Sequence, residues 1–430
     1  MTAAATSRSL FCAAAAVRAV LRYNFLLWHC DFTEKKGAMK GRTKTGLEIL
    51  LSNPSPIKGK RVGVVVNQTA TDRKLRHLIH LLQQVRDARI ARVFSPEHGL
   101  WGAEQDQIAV ESAGESELTI PVTSLYGETE ASLRPAPETL EGLDALVFDI
   151  QDVGARYYTF IYTMAYCMEA AKRAGIEMLV LDRPNPINGV AVEGNILRSG
   201  FESFVGRYPI AVRHGMTAGE LAELFNREFG IGCRLEIIRM QGWTRKSWFD
   251  QTGLPWIPPS PNMPTLETAA VYPGMCLIEG TNLSEGRGTT KPFELAGAPF
   301  LDSERFAKAL NDEKLPGIVF RPASFKPSFH KWAGKTCGGV QLHVTERDAF
   351  KPYLTGLAVA RAAKLLRPND FAFRTEPYEF VSDRLAFDIL TGTDNIRSLI
   401  ERGVPLATIE ESWLEELEEF KKVRESYLLY

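Results

Sequence analysis

Glu97 stands between Pro96 and His98-Gly99, a setting that suits general acid–base chemistry. Proline fixes the chain before the carboxylate and glycine permits a turn after it, so the side chain is held in one place, as a proton donor must be. The same residues also describe a carboxylate that only ties down its own turn, and His98 suits a bracing role as well as it suits tuning Glu97. A second concentration lies between Glu279 and Gly288, where Glu279, Asn282, Glu285 and Arg287 crowd among glycines. Glycine lets backbone approach a ligand closely, and polar groups at this density exceed what packing needs; a solvated loop is the plainer alternative. Upstream, Pro258 to Asn262 reads as a stiff connector from which Asn262 can donate to a ligand.

Such groups need a scaffold, and one is legible from residue 45 onward. Short β-branched apolar runs alternate with amphipathic stretches, the pattern of βαβ units in a mostly parallel sheet. Strands are expected at 61–66, 90–94, 145–150, 176–181 and 210–212. Helices are expected at 72–85, 157–174 and 217–229, the last opened by a capping box from Thr217 to Glu220. Residues 45–230 therefore read as a Rossmann-like α/β domain and 231–430 as an α+β C-terminal auxiliary domain. The second holds a Pro/Gly-rich stretch at 253–299 without periodicity. A helix is expected after it at 302–311, strands at 318–325 and 339–345, and helices at 352–366, 394–401 and 406–423.

In an open parallel sheet, ligands gather outside the carboxyl ends of the strands. The residues following each expected strand are Asn67 and Gln68; Glu97 and His98; Asp152, Arg156, Tyr157 and Tyr158; Asp182, Arg183 and Asn185; and Arg213 and His214. All five turns carry polar or titratable groups, where ordinary turns would supply one or two, which points to a site at this edge. Adjacent Tyr157 and Tyr158 at a helix start are expected not to share the core, leaving a ring free to stack on a sugar. Neither GxGxxG after the first strand nor GxxxxGK[ST] occurs, so the backbone cradles for dinucleotides and triphosphates are missing. No cofactor is expected. A metal held by His98, Asp152, Asp182 and His214 is the minor alternative.

Composition narrows the partners. Lys and Arg number 51 against 52 Asp and Glu, for a net charge of −1, with both signs interleaved; a nucleic-acid binder would show a basic excess. No run of about 18 uninterrupted apolar residues exists, so no membrane span is expected. The six cysteines are too far apart for a zinc or disulfide framework. A small solute is the expected partner. Residues 1–44 read as a disordered or targeting extension. Arg18 and Arg22 interrupt its apolar stretch, so it makes a poor secretory signal and the compartment stays open between cytoplasm and periplasm or exterior. Oligomeric state is open as well.

The stretches SPEHGLWG, DIQDVGARYYT, LDRPNPING, RHGMTAGELA, SPNMPT and YPGMCLIEGTNLSEGRGTTKPFE together resemble the DUF1343 family over residues 45–430. The resemblance implies a Rossmann-like catalytic domain, an auxiliary domain and a cleft between them. It also implies an exo-acting glycoside hydrolase that releases non-reducing-end N-acetylmuramic acid from peptidoglycan fragments of the MurNAc-GlcNAc type. The family's catalytic glutamate falls on Glu97. Glycoside hydrolysis needs a protonated acid and either a second carboxylate or the substrate's own acetamido group. Glu97 is expected as the acid/base; Glu285, Glu279, Asp152 and Asp182 remain candidates for its partner. The lactyl carboxylate of muramic acid calls for a fork-shaped donor, and Arg156, Arg183, Arg213 and Arg287 are the candidates. The competing class is a solute-binding protein that closes on a sugar without chemistry. The number of ionisable groups at the strand edge argues against it.

Overall fold

The β-branched runs pair into one parallel sheet. In the computed structural model, which describes residues 42–109 and 119–430, the sheet begins with β1 (Arg61–Val66), β2 (Arg89–Ser95), β3 (Val122–Ser124), β4 (Ala145–Asp149) and β5 (Glu177–Leu181). Two further strands, β6 (Glu193–Ile196) and β7 (Ala211–Arg213), pair antiparallel with each other outside it, and β8 (Arg234–Ile238) completes it. The order is β3-β2-β1-β4-β5-β8, with the direction of winding reversing between β1 and β4, as in a Rossmann-like fold. Both faces are covered, which is why the central strands β1, β4 and β5 are buried along nearly their whole length. Val62, Val64, Val93, Val147 and Leu179 belong to one core, whereas Val65, Phe94, Phe148 and Val180 belong to the other.

Helices α1 (Gly46–Ser52), α2 (Leu78–Leu82), α3 (Phe160–Ala174) and α4 (Ala218–Arg227) flank the sheet. Thr217 caps α4 by the expected box with Glu220. Three expectations for this half need correction. The helix at 72–85 shrinks to α2, because Asp72 accepts from the amides of Lys74 and Arg76 and winds the chain into a turn closed by a Thr71–His77 bridge. The run at 210–212 forms β7, outside the main sheet; β8 takes the edge position instead. The third concerns Tyr157 and Tyr158, which are both buried, because α3 begins only at Phe160 and the turn before it aims both rings inward.

The second half contributes α5 (Leu266–Met275), β9 (Leu295–Ala298), α6 (Ser303–Asp312), β10 (Ile318–Phe325), β11 (Cys337–Val344), α7 (Pro352–Leu366), α8 (Ala386–Thr391), α9 (Asn395–Glu401), α10 (Leu406–Glu411) and α11 (Leu414–Glu425). The three strands form an antiparallel sheet ordered β10-β11-β9. The stretch at 253–299 is thus not without structure. Residues Thr268–Met275 of α5 are all buried, so the helix has no polar face to give a periodic signal. It crosses α7 where Gly274 and Gly356 let the two backbones touch. The helix expected at 406–423 is broken in two at Trp413, which turns inward against Tyr353 with ring centroids 5.4 Å apart. One apolar core runs from α3 and α4 into α5, α7 and α8, so the two halves are welded together. Residues 1–41 lie outside the described residues.

Candidate active site

At the carboxyl end of β2 the chain turns through Glu97 to Leu100. His98 has φ +69° and Gly99 φ +80°. A left-handed non-glycine residue costs about 1–3 kcal/mol and persists where function or surrounding contacts demand it. Here the imidazole Nδ1 meets the Glu104 carbonyl at 2.9 Å, which anchors the turn and leaves Glu97 fixed. Glu97 is 5% exposed and accepts a hydrogen bond from Thr159 Oγ1 at 2.7 Å, just before α3.

Glu97 faces a cavity of about 460 Å³, part of it open to solvent, between the two halves. Its other carboxyl groups are Asp106, Glu279 and Glu379, and its guanidinium is Arg287. Arg287 Nη1 meets Asp106 at 2.7 Å, Nη2 meets Glu279 at 2.7 Å, and Nε lies 3.4 Å from Glu285. Burial alone would lower the Arg287 pKa, but these three carboxylates hold it well above its ordinary value. Glu279 also accepts from the Tyr378 hydroxyl at 2.7 Å, and Asn262 donates to Gln105 across the rim at 2.8 Å. Tyr157 and Tyr158 form part of the wall.

Glu379 was not among the candidates from sequence. It lies at the tip of a two-residue turn closed by paired backbone hydrogen bonds between Tyr378 and Val381. Both tip residues have positive φ, Glu379 at +46° and Phe380 at +65°. Such turns strongly prefer Asn-Gly, so Glu-Phe is held there against local preference. Pro377 stands just before the turn, but the tip residues Glu-Phe carry no turn signal of their own, which is why the sequence hid it. Tyr126 donates to its carboxyl at 3.2 Å. Burial, and then the charge of Glu97, push the Glu379 carboxyl well above the usual carboxylate range.

Several residues named from sequence are placed elsewhere. Glu285 sits behind Arg287, with Lys331 at 2.7 Å and His330 at 3.2 Å; burial would raise its pKa, but the Lys331 charge, the hydrogen bond from His330 and the Arg287 charge hold it far below. Asp182 is 0% exposed, accepts from Thr217, Gly219 and Tyr430, and is pushed up to about 6 by burial; it ties down the start of α4. Three of the four arginines are spent inside the protein. Arg156 donates to the carbonyls of Asn195, Ile210, Leu390 and Thr391; Arg183 clasps both oxygens of Asp149; Arg213 donates to the Ile187 carbonyl. Asn67 and Gln68 donate to Pro259 and Pro258, holding the connector over the sheet. Asn185 ties Met216 to Ile187, and Asn282 ties the chain to Asp370 and Ala372.

The metal alternative does not assemble. Asp152 lies 3.6 Å from His214 Nε2, but Asp182 is committed to α4 and the His98 Nδ1 to Glu104. Among the described residues no group of three or more His, Cys, Asp or Glu is placed to hold a metal ion. Nor is any described helix long and apolar enough to cross a membrane.

With this geometry in view, comparison with known proteins is decisive. Residues 62–267 match the family described as exo-beta-N-acetylmuramidase NamZ, N-terminal, and residues 270–430 match its C-terminal counterpart. The chain is 48% identical to the peptidoglycan beta-N-acetylmuramidase NamZ of Bacillus subtilis, over 93% of this chain and 94% of that one. It belongs to the NamZ family. Two crystal structures of DUF1343 family proteins from Bacteroides fragilis share the architecture. One matches with a TM-score of 0.79 at 34% identity and the other with 0.70 at 31%, each covering 90% of this chain and 99% of its own. The NamZ match spans both halves, and so does the cavity.

Proposed function

We propose that the chain is an exo-acting β-N-acetylmuramidase that removes N-acetylmuramic acid from the non-reducing end of peptidoglycan fragments, with Glu97 as acid/base and Glu379 as its partner. The observation that carries this reading is the pair of buried carboxyl groups, one from each half, on strained turns in the same cavity. Two carboxyls that feel each other's charge do not both ionise readily, and the proton that burial and this repulsion retain belongs to the pair rather than to either group alone. Cleavage needs a proton for the departing glycosidic oxygen and a negative or nucleophilic group near the anomeric carbon, and such a pair holds both. The relationship to the Bacillus subtilis NamZ supports the substrate class.

Among the four arginines considered, Arg287 is the one at the cavity, and we assign it to the lactyl carboxylate of muramic acid. A guanidinium has five N–H donors and Arg287 meets three carboxylates, which leaves donors for a fourth. The test is release of N-acetylmuramic acid from a MurNAc-GlcNAc disaccharide. Glu97→Gln is expected to lower kcat by roughly 10²–10⁴ with the thermal transition preserved. A variant retaining near-full rate would refute the role of Glu97. Disaccharide binding without turnover by the unmutated protein would favour a binding protein instead.

A further inference from the structure

The turn that carries Glu379 holds a second residue whose placement the carboxylate does not explain. Phe380 is 38% exposed, with φ +65°. An aromatic side chain is a poor occupant of a left-handed position, and glycine or asparagine would relax this turn. Relaxing it would lose an exposed apolar ring one residue from a carboxyl group of the cavity. The ring is braced: it meets Tyr126 edge-on at 5.7 Å, Tyr126 meets Phe204 at 5.8 Å, and the same Tyr126 donates to Glu379. Phe204 in turn precedes Val205, which lines the cavity. One tyrosine thus holds both a carboxyl of the cavity and the exposed ring beside it.

What would meet that ring follows from the reaction proposed above, on which this inference rests. An exo-acting enzyme encloses a single terminal sugar, so every other sugar of the substrate lies outside the enclosed position, beginning at the mouth. A pyranose presents an apolar face of C–H groups that packs well on an aromatic ring. We propose that Phe380 is the platform for the first sugar of the leaving group, an N-acetylglucosamine-type pyranose, and so forms a leaving-sugar subsite. Trp101, 49% exposed on the loop that follows Glu97, is another exposed aromatic, but its ring packs at 5.3 Å on His77, which takes no part in the cavity, whereas Phe380 packs on the tyrosine that holds Glu379.

The experiment compares kcat/KM on a MurNAc-GlcNAc disaccharide with that on methyl β-N-acetylmuramide, which has no leaving sugar. In Phe380→Gly, where the turn gains a residue suited to its φ and folding is not at risk, the ratio of the two is expected to fall about tenfold. In Phe380→Tyr the ratio is expected to stay near the wild-type value, and in Trp101→Ala to be unchanged. Equal losses on both substrates would mean that Phe380 acts only through Glu379, and an effect confined to Trp101→Ala would place the leaving sugar on the other loop; either overturns the proposal. Calorimetric binding of the disaccharide and of free N-acetylmuramic acid reads the subsite without turnover. Absence of turnover in the unmutated protein would count against the activity. A Phe380→Gly protein that binds disaccharide as tightly as wild type would count against the subsite.

Discussion

Glu379 gains its chemistry from neighbours rather than from its own type. It is buried, faces the charge of Glu97 and accepts from Tyr126. Replacing it with glutamine removes a titratable carboxyl from the cavity while keeping the shape. In the pH profile of kcat/KM, the basic limb reports the proton that the acid must retain. The proton that burial and the Glu97 charge retain on the pair is lost with the Glu379 carboxyl, so Glu379→Gln is expected to move the basic limb to lower pH, together with a drop in kcat. A profile of unchanged shape would show that the two groups do not share a proton. At this scale the sequence was half legible. Glu97 announced itself through the proline and glycine around it, and Arg287 through its crowded loop. The remaining arginines looked equivalent, because the sequence shows a guanidinium but not the ring of carbonyls that consumes it.

Elements were legible where packing leaves a periodic trace. The expected bounds of β1, β10 and α7 match the structure to the residue, since each is bracketed by polar residues or glycine: Lys60 and Asn67, Gly317 and Lys326, Lys351 and Arg367. Strand β8 and helix α5 were not legible: one is a short edge strand and the other is buried all round. How α7 begins was equally hidden. Glu193 of β6 accepts from the amides of Tyr353 and Leu354, capping from a distant strand a helix that starts without a side-chain cap of its own. Burial pushes Glu193 up to about 7 from 4.5. Because the folded pKa is raised, the contribution to stability is fully present below about 4.5 and is lost as pH rises through about 7. The advantage of the wild type over Glu193→Gln in unfolding free energy is therefore expected to shrink between pH 5 and pH 8, by on the order of 3 kcal/mol at most. A difference independent of pH would show that Glu193 does not titrate in the fold.

On the scale of the whole molecule, residues 41–430 form one compact unit, and the site exists only where its halves meet. Arg156 is the clearest seam. Its guanidinium, fully buried, takes two carbonyls from around β6 and β7 and two from the end of α8, more than 230 residues away. Removing it takes a donor from four carbonyls, of which Thr391 still accepts from Asn195, so Arg156→Ala is expected to cost roughly 3–5 kcal/mol, read as a lower midpoint in a single cooperative denaturation curve. Two separate transitions would show that the halves unfold independently.

That seam also bears on the order of events as the chain folds. The parallel sheet closes through contacts within the first half, but the carbonyls that must accept the Arg156 charge are complete only once residues 390 and 391 have docked. A cation has no place in an apolar interior until its acceptors arrive, and closing so long a loop is slow. Docking of the second half is thus expected to be the late step of refolding, and catalytic activity to return with it rather than with the first burst of helical signal.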